Sequence, residues 1–316
     1  MDAIIEKIKK SKDIVMTAHM SEDADALGSL FALGTALKSI GKNVTVYLSE
    51  EPEDRLKFLN YDYLIFDEEI KAEMDLFIAL DSADVGRLGK RKVFLECPES
   101  VLIDHHYTNT RYAKINYVEP DASSTGELIY LLIKKMGVIV TKEIAEFLYI
   151  SISGDTGSFK YSSTSPRTMR VVADLMETGI DHAELSRKLY ETEKLENVLL
   201  NGYVMSNIES YFEGKLRMVV LDEDIFGRFK VSERNAGDLV NIPRMVEGTE
   251  IAVSVRKTPE KIKLSFRSNG KYNVSDIAAH FGGGGHAMAA GVAVFDMEIG
   301  KVRENIIKVI GEYIDD

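Results

Sequence analysis

The first half of the chain alternates short, nearly continuous apolar runs with stretches of helical periodicity, and this alternation restricts the fold more than any other feature. Leucines recur at helical spacing over residues 26–40, and Gly41 ends that pattern. The predicted strands are residues 13–18, 44–48, 63–66, 76–80 and 101–103. Apolar strands separated by helices indicate a parallel sheet covered on both faces. We therefore predict an α/β fold whose N-terminal part is a doubly wound, mainly parallel sheet.

The pattern changes in the last third of the chain. The whole chain has 316 residues, which is more than the roughly 150 that one domain usually takes. Helical patterns dominate from about residue 125, and residues 186–208 are predicted to form a helical connector. Strands at 215–221, 251–255 and 262–267 then indicate a smaller mixed α/β domain. We predict domains at 1–185 and 211–316, joined by a helical linker at 186–210.

Charge and cysteine content limit the class of protein. The sequence has 39 Lys+Arg against 51 Asp+Glu, a net charge of −12. This balance disfavours a structural RNA-binding protein or any long nucleic acid as a stable partner, because such binding depends on basic residues. The one cysteine, Cys97, excludes an internal disulfide. With neither a targeting segment nor an apolar stretch that could span a bilayer, we expect a cytoplasmic protein without a membrane partner.

Carboxylate and imidazole groups follow several of the predicted strands at the point where each strand ends. They are His19, Asp23 and Asp25 after the first strand, Asp81 after the fourth, Asp104, His105 and His106 after the fifth, and Asp155 at the end of a helical run. In a doubly wound sheet the carboxyl ends of the strands line the ligand crevice. We therefore expect these side chains to meet at one edge of the sheet.

Carboxylates set this closely repel one another unless a cation neutralises them. An Asp such as Asp23 or Asp25 taken alone is more often a helix N-cap, and a lone histidine more often a core residue. The joint occurrence at three strand ends favours a site for two divalent ions, with Mn²⁺ suited to mixed His and Asp ligands. We predict His19, Asp23 and Asp81 for one ion. The predicted ligands of the other are Asp25, Asp81, His105 and Asp155.

The predicted second domain has a basic strand. Residues 256–271 hold six basic residues and one acid, and Lys263, Ser265 and Arg267 share one face of the alternating strand. Such a face is suited to phosphate contact, with Arg267 able to bind two oxygens at once. A solvated strand face is the alternative.

Four consecutive glycines at 282–285 and His286 follow this strand. A glycine run allows backbone N–H groups to approach an anion closely. The small residues at 287–291 are predicted to start a helix, whose N-terminus would favour the same anion. A plain glycine-rich turn is the alternative.

Five motifs together resemble one family. They are the residues 19–29, 81–84, 104–109, 155–162 and 283–291. In these motifs the chain resembles the DHH–DHHA1 phosphoesterases of the nanoRNase or oligoribonuclease type, which are related to RecJ exonucleases and family II inorganic pyrophosphatases. Glu22 is a departure, since many members have Pro there, and we expect it to add an acid near the metals.

The resemblance implies a catalytic DHH domain, a substrate-binding DHHA1 domain and the metal ligands inferred above. It also implies that His106 contacts the scissile phosphate, and we expect Asp104 to orient a neighbouring imidazole. The substrate-binding residues that it implies in the second domain are Arg267, Gly283, Gly284, Gly285 and His286. Family habit suggests a homodimer.

These inferences predict a metal-dependent phosphodiesterase that hydrolyses short oligonucleotides and linear dinucleotides, such as pApA, to 5′-mononucleotides. A hydroxide bridging the two metals would attack phosphorus. The alternatives among enzymes are a phosphatase acting on 3′-phosphoadenosine 5′-phosphate (pAp) and a cyclic di-AMP phosphodiesterase. A nucleotide-binding sensor without turnover is the alternative outside enzymes.

Overall fold

The computed structural model describes residues 1–66 and 73–314, and the chain divides into two compact units between Thr192 and Glu193. Each unit has its own six-stranded sheet and its own apolar core. None of the helices in the described part of the chain combines the length and apolar character needed to cross a membrane. The domain bounds 1–185, 186–210 and 211–316 stay a prediction.

The first sheet is parallel throughout and has the strand order β3-β2-β1-β4-β5-β6. Its strands are β1 (Asp13–Thr17), β2 (Asn43–Leu48), β3 (Leu64–Ile65), β4 (Leu76–Leu80), β5 (Ser100–Asp104) and β6 (Ile115–Val118). The chain runs outward from β1 and then returns to its other side at β4, which confirms the predicted doubly wound sheet. Every residue of β4 and β5 is buried, because helices and loops cover both faces.

Helices of the first unit bring distant acidic residues together. They are α1 (Asp2–Lys10), α2 (Ala24–Ser39), α3 (Thr125–Lys135), α4 (Lys142–Asp155), α5 (Pro166–Glu177) and α6 (His182–Ser186). α2 and α4 cross closely at Gly28, where an added Cβ would lie 2.5 Å from the carbonyl oxygen of Phe147. A second close approach joins Gly154 to Ala24. The start of α2 and the end of α4 therefore lie side by side.

The second unit has a mixed sheet in the order β11-β12-β10-β9-β8-β7, in which only the β8–β9 pair is parallel among the described strands. Its strands are β7 (Glu209–Tyr211), β8 (Leu216–Leu221), β9 (Ile251–Lys257), β10 (Ile262–Ser268), β11 (Gly284–His286) and β12 (Ala289–Val294). Its helices are α7 (Leu195–Ser206), α8 (Glu223–Phe229), α9 (Asn241–Arg244), α10 (Val274–Ala279) and α11 (Ile299–Ile314). The predicted mixed α/β architecture is confirmed.

The expected helical connector over 186–208 is interrupted. A π-helical turn, Arg187–Glu191, follows α6, and α7 begins only after Lys194. Thr192 has an extended backbone, and its hydroxyl donates to the carbonyl of Arg187 at 3.0 Å. Hydroxyl groups that bond nearby backbone compete with helix continuation, which explains the break.

The expected helix start at 287–291 is wrong. β11 and β12 form a hairpin there, and β12 pairs along its length with β10, so that Val292 lies opposite Leu264. The backbone contacts are tight, since a Cβ on Gly285 would lie 2.5 Å from the carbonyl oxygen of Ala289. Long-range strand pairing therefore overrides the local pattern, and the predicted anion site at a helix N-terminus does not exist.

Candidate metal centre

The eight predicted acid and histidine residues of the first half all lie at the carboxyl edge of the first sheet. They are His19 after β1, Asp23 and Asp25 at the start of α2, Asp81 after β4, Asp104, His105 and His106 at the end of β5, and Asp155 at the end of α4. Parallel strands end on one side of a sheet, and the close α2–α4 crossing adds the helix residues.

His19, Asp23 and Asp81 form one group, with ligand atoms that all lie within 4.8 Å of one another. The Nε2 atom of His19 is 3.7 Å from Oδ2 of Asp23 and 3.5 Å from Oδ2 of Asp81. The other oxygen of Asp23 accepts from the backbone N–H of Ala26 at 3.0 Å. Asp23 is therefore a helix cap as well as a candidate ligand, because a different oxygen serves each contact.

Asp25, His105 and Asp155 form a second group within the same 4.8 Å limit. The Nε2 atom of His105 is 3.8 Å from Oδ2 of Asp25 and 3.4 Å from Oδ2 of Asp155. The same nitrogen is 3.7 Å from Oδ1 of Asp81. The three carboxylates that the sequence suggested for the second ion therefore lie around the Nε2 atom of the fourth residue, His105.

Asp81 lies between the two groups and directs one oxygen to each. Its Oδ2 faces His19, whereas its Oδ1 is close to His105 and accepts from the hydroxyl of Thr125 at 3.0 Å. The backbone φ of Asp81 is 50°, which lies in the left-handed region that Asp tolerates better than most residues. Its N–H donates to the carbonyl of Ile103 at 3.0 Å. This backbone holds the carboxylate in place at the end of β4.

The carboxylates of the second group are held together against their own repulsion. Burial, with the charges of Asp81 and Asp155, raises the pKa of Asp25 well above its ordinary value. Burial and the charges of Asp23 and Asp81 raise the pKa of Asp155 to about 6, although His105 opposes this. A divalent cation would remove the repulsion, and carboxylate and imidazole are donors that Mn²⁺ and similar ions accept. The residues present therefore fit two such ions.

His19 is a buried imidazole among carboxylates. Burial alone would lower its pKa, but the hydrogen bonds and charges of Asp23 and Asp81 raise the pKa well above its ordinary value. A metal ion would take the place of the proton, because an imidazole ligand must be neutral.

His106 is hydrogen-bonded to Asp104. Its Nδ1 lies 2.7 Å from Oδ1 of the buried Asp104, which also accepts from the amide of Asn109. Burial would lower the pKa of His106, but the bond to Asp104 and the charge of Asp81 raise it to about 9. His106 Nδ1 is also 3.5 Å from Oδ1 of Asp81. The imidazole is therefore oriented next to the shared carboxylate.

Glu22 lies directly before Asp23, near the first group, but its carboxylate has partners outside the two groups of candidate ligands. Its buried carboxylate forms an ion pair with Arg91 and accepts from both the N–H and the hydroxyl of Ser49 at 2.8 Å. The guanidinium neutralises the carboxylate. Since Arg91 is 69 residues away in the sequence, the motif itself held no sign of this partner.

The basic strand face of the second unit is paired with acids, which the sequence did not suggest. Arg267 donates to Oδ2 of Asp238 at 2.9 Å, and Lys263 and Arg256 approach Oε1 of Glu233 at 3.4 and 3.2 Å. Acids therefore face this strand, although Lys263 stays exposed.

The glycine loop forms the edge hairpin of the second sheet. Gly284, Gly285 and His286 are exposed residues of β11, and Gly283 precedes them. A Cβ on Gly283 would lie 2.4 Å from that of Val292, so glycine is required there. With Arg267, these four stay predicted substrate-binding residues.

Sequence reasoning missed several residues that hold the candidate ligands. Thr125 and Gly126 donate backbone N–H groups to Asp25 at 2.8 and 3.0 Å, and the hydroxyl of Ser151 donates to the same carboxylate. The run of small polar residues before α3 was the available signal, although the same run is equally typical of a simple helix cap.

Comparison with known proteins gives two family matches. The model for "DHH family, N-terminal domain" matches residues 13–152, and that for "DHHA1 domain" matches residues 217–316. Two similar relatives carry the name bifunctional oligoribonuclease and PAP phosphatase NrnA. The Thermus thermophilus protein is 33% identical, with 95% of this chain and 89% of the relative aligned. The Bacillus subtilis protein is 29% identical over 93% of each chain.

Solved structures agree on the fold. An exopolyphosphatase-related protein from Bacteroides fragilis matches with a TM-score of 0.92 and 29% identity, covering 100% of this chain and 97% of that one. Exonuclease RecJ bound to manganese matches with a TM-score of 0.54 and 15% identity, covering 97% and 92%. At that identity RecJ supports the fold alone.

Proposed function

The chain belongs to the DHH–DHHA1 family, and on that basis we propose that it is a metal-dependent phosphodiesterase acting on short oligonucleotides and linear dinucleotides such as pApA, with 5′-mononucleotides as products. The observation that supports this most is the buried Asp81 carboxylate, whose two oxygens face two separate acid–histidine groups. A shared carboxylate is what a pair of divalent ions needs.

His19, Asp23 and Asp81 would hold one ion, and Asp25, Asp81, His105 and Asp155 the other. We propose Mn²⁺ for both, because it accepts the mixed donor set. When bound, such ions would neutralise phosphate charge and lower the pKa of a coordinated water, so that hydroxide would be available as the nucleophile near neutral pH.

His106 contacts the scissile phosphate in this proposal. Asp104 orients its ring through Nδ1, and the imidazole stabilises charge that develops on the phosphoryl oxygens. The same ring supplies a proton to the leaving 3′ oxygen.

The second unit binds the rest of the substrate. The glycine hairpin offers backbone N–H groups, and His286 lies exposed on it. Arg267 exchanges its contact with Asp238 for a phosphate, which it can bind through two nitrogens. The acidic remainder of the chain, at net −12, supports a preference for substrates a few nucleotides long.

A second activity on pAp is favoured by the names of the relatives, which are both an oligoribonuclease and a PAP phosphatase.

We also propose that the protein is a homodimer of the cytoplasm. Cys97 is buried and forms no disulfide, which is compatible with a reducing compartment.

Product analysis by chromatography tests the function. The protein is incubated with Mn²⁺ and pApA, pAp, cyclic di-AMP or a 20-nucleotide RNA. We expect AMP from pApA and pAp, at rates well above cleavage of the RNA. Equal rates on pApA and on the RNA would contradict the length preference. Binding of pApA without any product would instead identify a nucleotide sensor.

A further inference from the structure

Glu22 and Arg91 form a buried ion pair directly beside the first group of candidate ligands. Their exposed fractions are 3% and 1%. Glu22 lies in the short loop between β1 and α2, one residue before Asp23 and three after His19. A carboxylate at this depth in a loop is unusual, because acids are seldom fully buried unless paired.

The pair joins three parts of the chain. One nitrogen of Arg91, Nη1, donates to Glu22, to the hydroxyl of Thr17 at 2.6 Å and to the carbonyl of Tyr47 at 3.2 Å. Thr17 ends β1, and Tyr47 lies in β2. Glu22 also accepts from Ser49, which follows β2. The loop is thereby tied to the ends of both strands.

Arg91 itself belongs to the 3-10 segment Val85–Glu96, which follows Asp81 in the chain. A second bond joins the loop to this segment, from the N–H of Met20 to the carbonyl of Arg87 at 2.7 Å. The pair therefore links the loop that holds His19 and Asp23 to the segment that follows Asp81. The first group of ligands consists of these three residues.

Stability alone is a weak explanation for this pair. Taking both charges out of water costs several kcal/mol, and replacing a buried ion pair by apolar residues is often neutral or stabilising. Groups that hold metal ligands in place commonly change metal affinity by about 10–100-fold when they are removed.

We propose that Glu22 and Arg91 are positioning residues, which fix the spacing of His19 and Asp23 relative to Asp81 and so set the affinity of the first ion site. The inference rests on the proposed metal-dependent function. It assigns a role to the position at which this sequence departs from the motif that it otherwise resembles.

Calorimetric titration of the metal-free protein with Mn²⁺ tests the proposal, with folding checked by circular dichroism and thermal unfolding. We expect Glu22→Gln and Arg91→Met to weaken one class of Mn²⁺ site by about 10-fold or more. Arg91→Lys should restore affinity to within a few-fold, because an ammonium group can donate to the same three oxygens.

Glu233→Gln is the matched control, because Glu233 is also paired with a buried arginine, Arg256, but lies in the second unit. It should leave Mn²⁺ affinity unchanged. If folded Glu22→Gln binds Mn²⁺ within two-fold of the parent, the positioning role is overturned, and this decision holds even if Arg91→Met does not fold.

A double-mutant cycle locates the effect. Glu22→Gln should add little in an Asp23→Asn background, where the first group is already damaged. It should keep its full effect in an Asp155→Asn background. The opposite pattern would overturn the assignment to the first site. Failure of the proposed function is seen separately, in a parent protein that binds no Mn²⁺ or does not cleave pApA.

Discussion

Two regions of the molecule concentrate charge of one sign, and the fold treats them differently. At the edge of the first sheet, five aspartates meet three histidines, and the ion pairs described for these aspartates are with histidines alone. On the second sheet, by contrast, Arg256, Lys263 and Arg267 are each paired with Glu233 or Asp238.

The difference separates a region that needs a bound cation from one whose charge is neutralised without a ligand. Basic residues that already have acidic partners in the fold are stable without any ligand. Buried carboxylates that face one another raise their own pKa values, as Asp25 and Asp155 do, and are stabilised when a cation arrives. Concentrated charge in a sequence therefore points to a ligand most strongly where the fold leaves like charges together.

Removal of the shared carboxylate should have the largest effect. Asp81→Asn should lower the rate of pApA hydrolysis by about 1,000-fold or more, because both ions lose a ligand and transition-state charge is left unstabilised. Steady-state kinetics at high Mn²⁺ measures this. Asp174→Asn is the control, since Asp174 bonds the hydroxyl of Tyr130 outside the cluster. Equal losses in both variants would contradict the assignment.

Removal of metal should destabilise the first unit. With free Mn²⁺ at about 1,000 times its Kd, binding contributes about 4 kcal/mol to the free energy of unfolding. For a unit of this size that is about 8–16 °C in Tm. Scanning calorimetry with EDTA or with Mn²⁺ measures the shift, which Asp81→Asn should largely abolish. A Tm that Mn²⁺ leaves unchanged in the parent would mean that the carboxylates are stable without a cation.

In the second unit, the pairing of basic residues with acids can be tested at Arg267 and Asp238. Arg267→Met should raise KM for pApA by about 10-fold, the loss expected for a charged hydrogen bond to phosphate. Asp238→Asn should leave KM equal or lower, because it frees the guanidinium. If both variants lower stability slightly and leave KM unchanged, Arg267 serves the fold alone.

The smallest expected effect concerns Glu127, a glutamate of the first unit whose burial is offset by hydrogen bonds. Burial would raise the pKa of Glu127, but hydrogen bonds from Ser123, Thr168 and Arg167 lower it below its ordinary value. A lowered folded-state pKa stabilises the protein above the ordinary glutamate pKa, and this contribution is lost as pH falls through the lowered value.

The free energy of unfolding, measured with urea and EDTA from pH 7 down to pH 3, should therefore fall more in the parent than in Glu127→Gln. The neutral variant should be less stable than the parent at pH 7. An identical pH profile for the two proteins would contradict the lowered pKa.

Much of the first unit could be predicted from local pattern. The parallel sheet follows from apolar runs whose burial needs helices on both faces, and the ends of β1, β4 and β5 follow from the same runs. Because parallel strands end on one edge, His19, Asp81 and His105 could be placed together before any coordinates were known.

Other features depend on partners distant in the sequence. The hairpin of β11 and β12 forms because β10 offers a strand to pair with, against a local pattern of small residues typical of a helix start. Whether Arg267 is solvated or paired depends on Asp238, 29 residues away.

The sequence by itself determined which chemical groups are available at the edge of the first sheet, because strand periodicity and strand ends are local properties. The tertiary structure was needed to see that Thr125, Gly126 and Ser151 hold Asp25 in place, and that Glu22 pairs with Arg91. Side-chain contacts across a packed core depend on the relative placement of distant segments, and no short stretch of sequence encodes that placement.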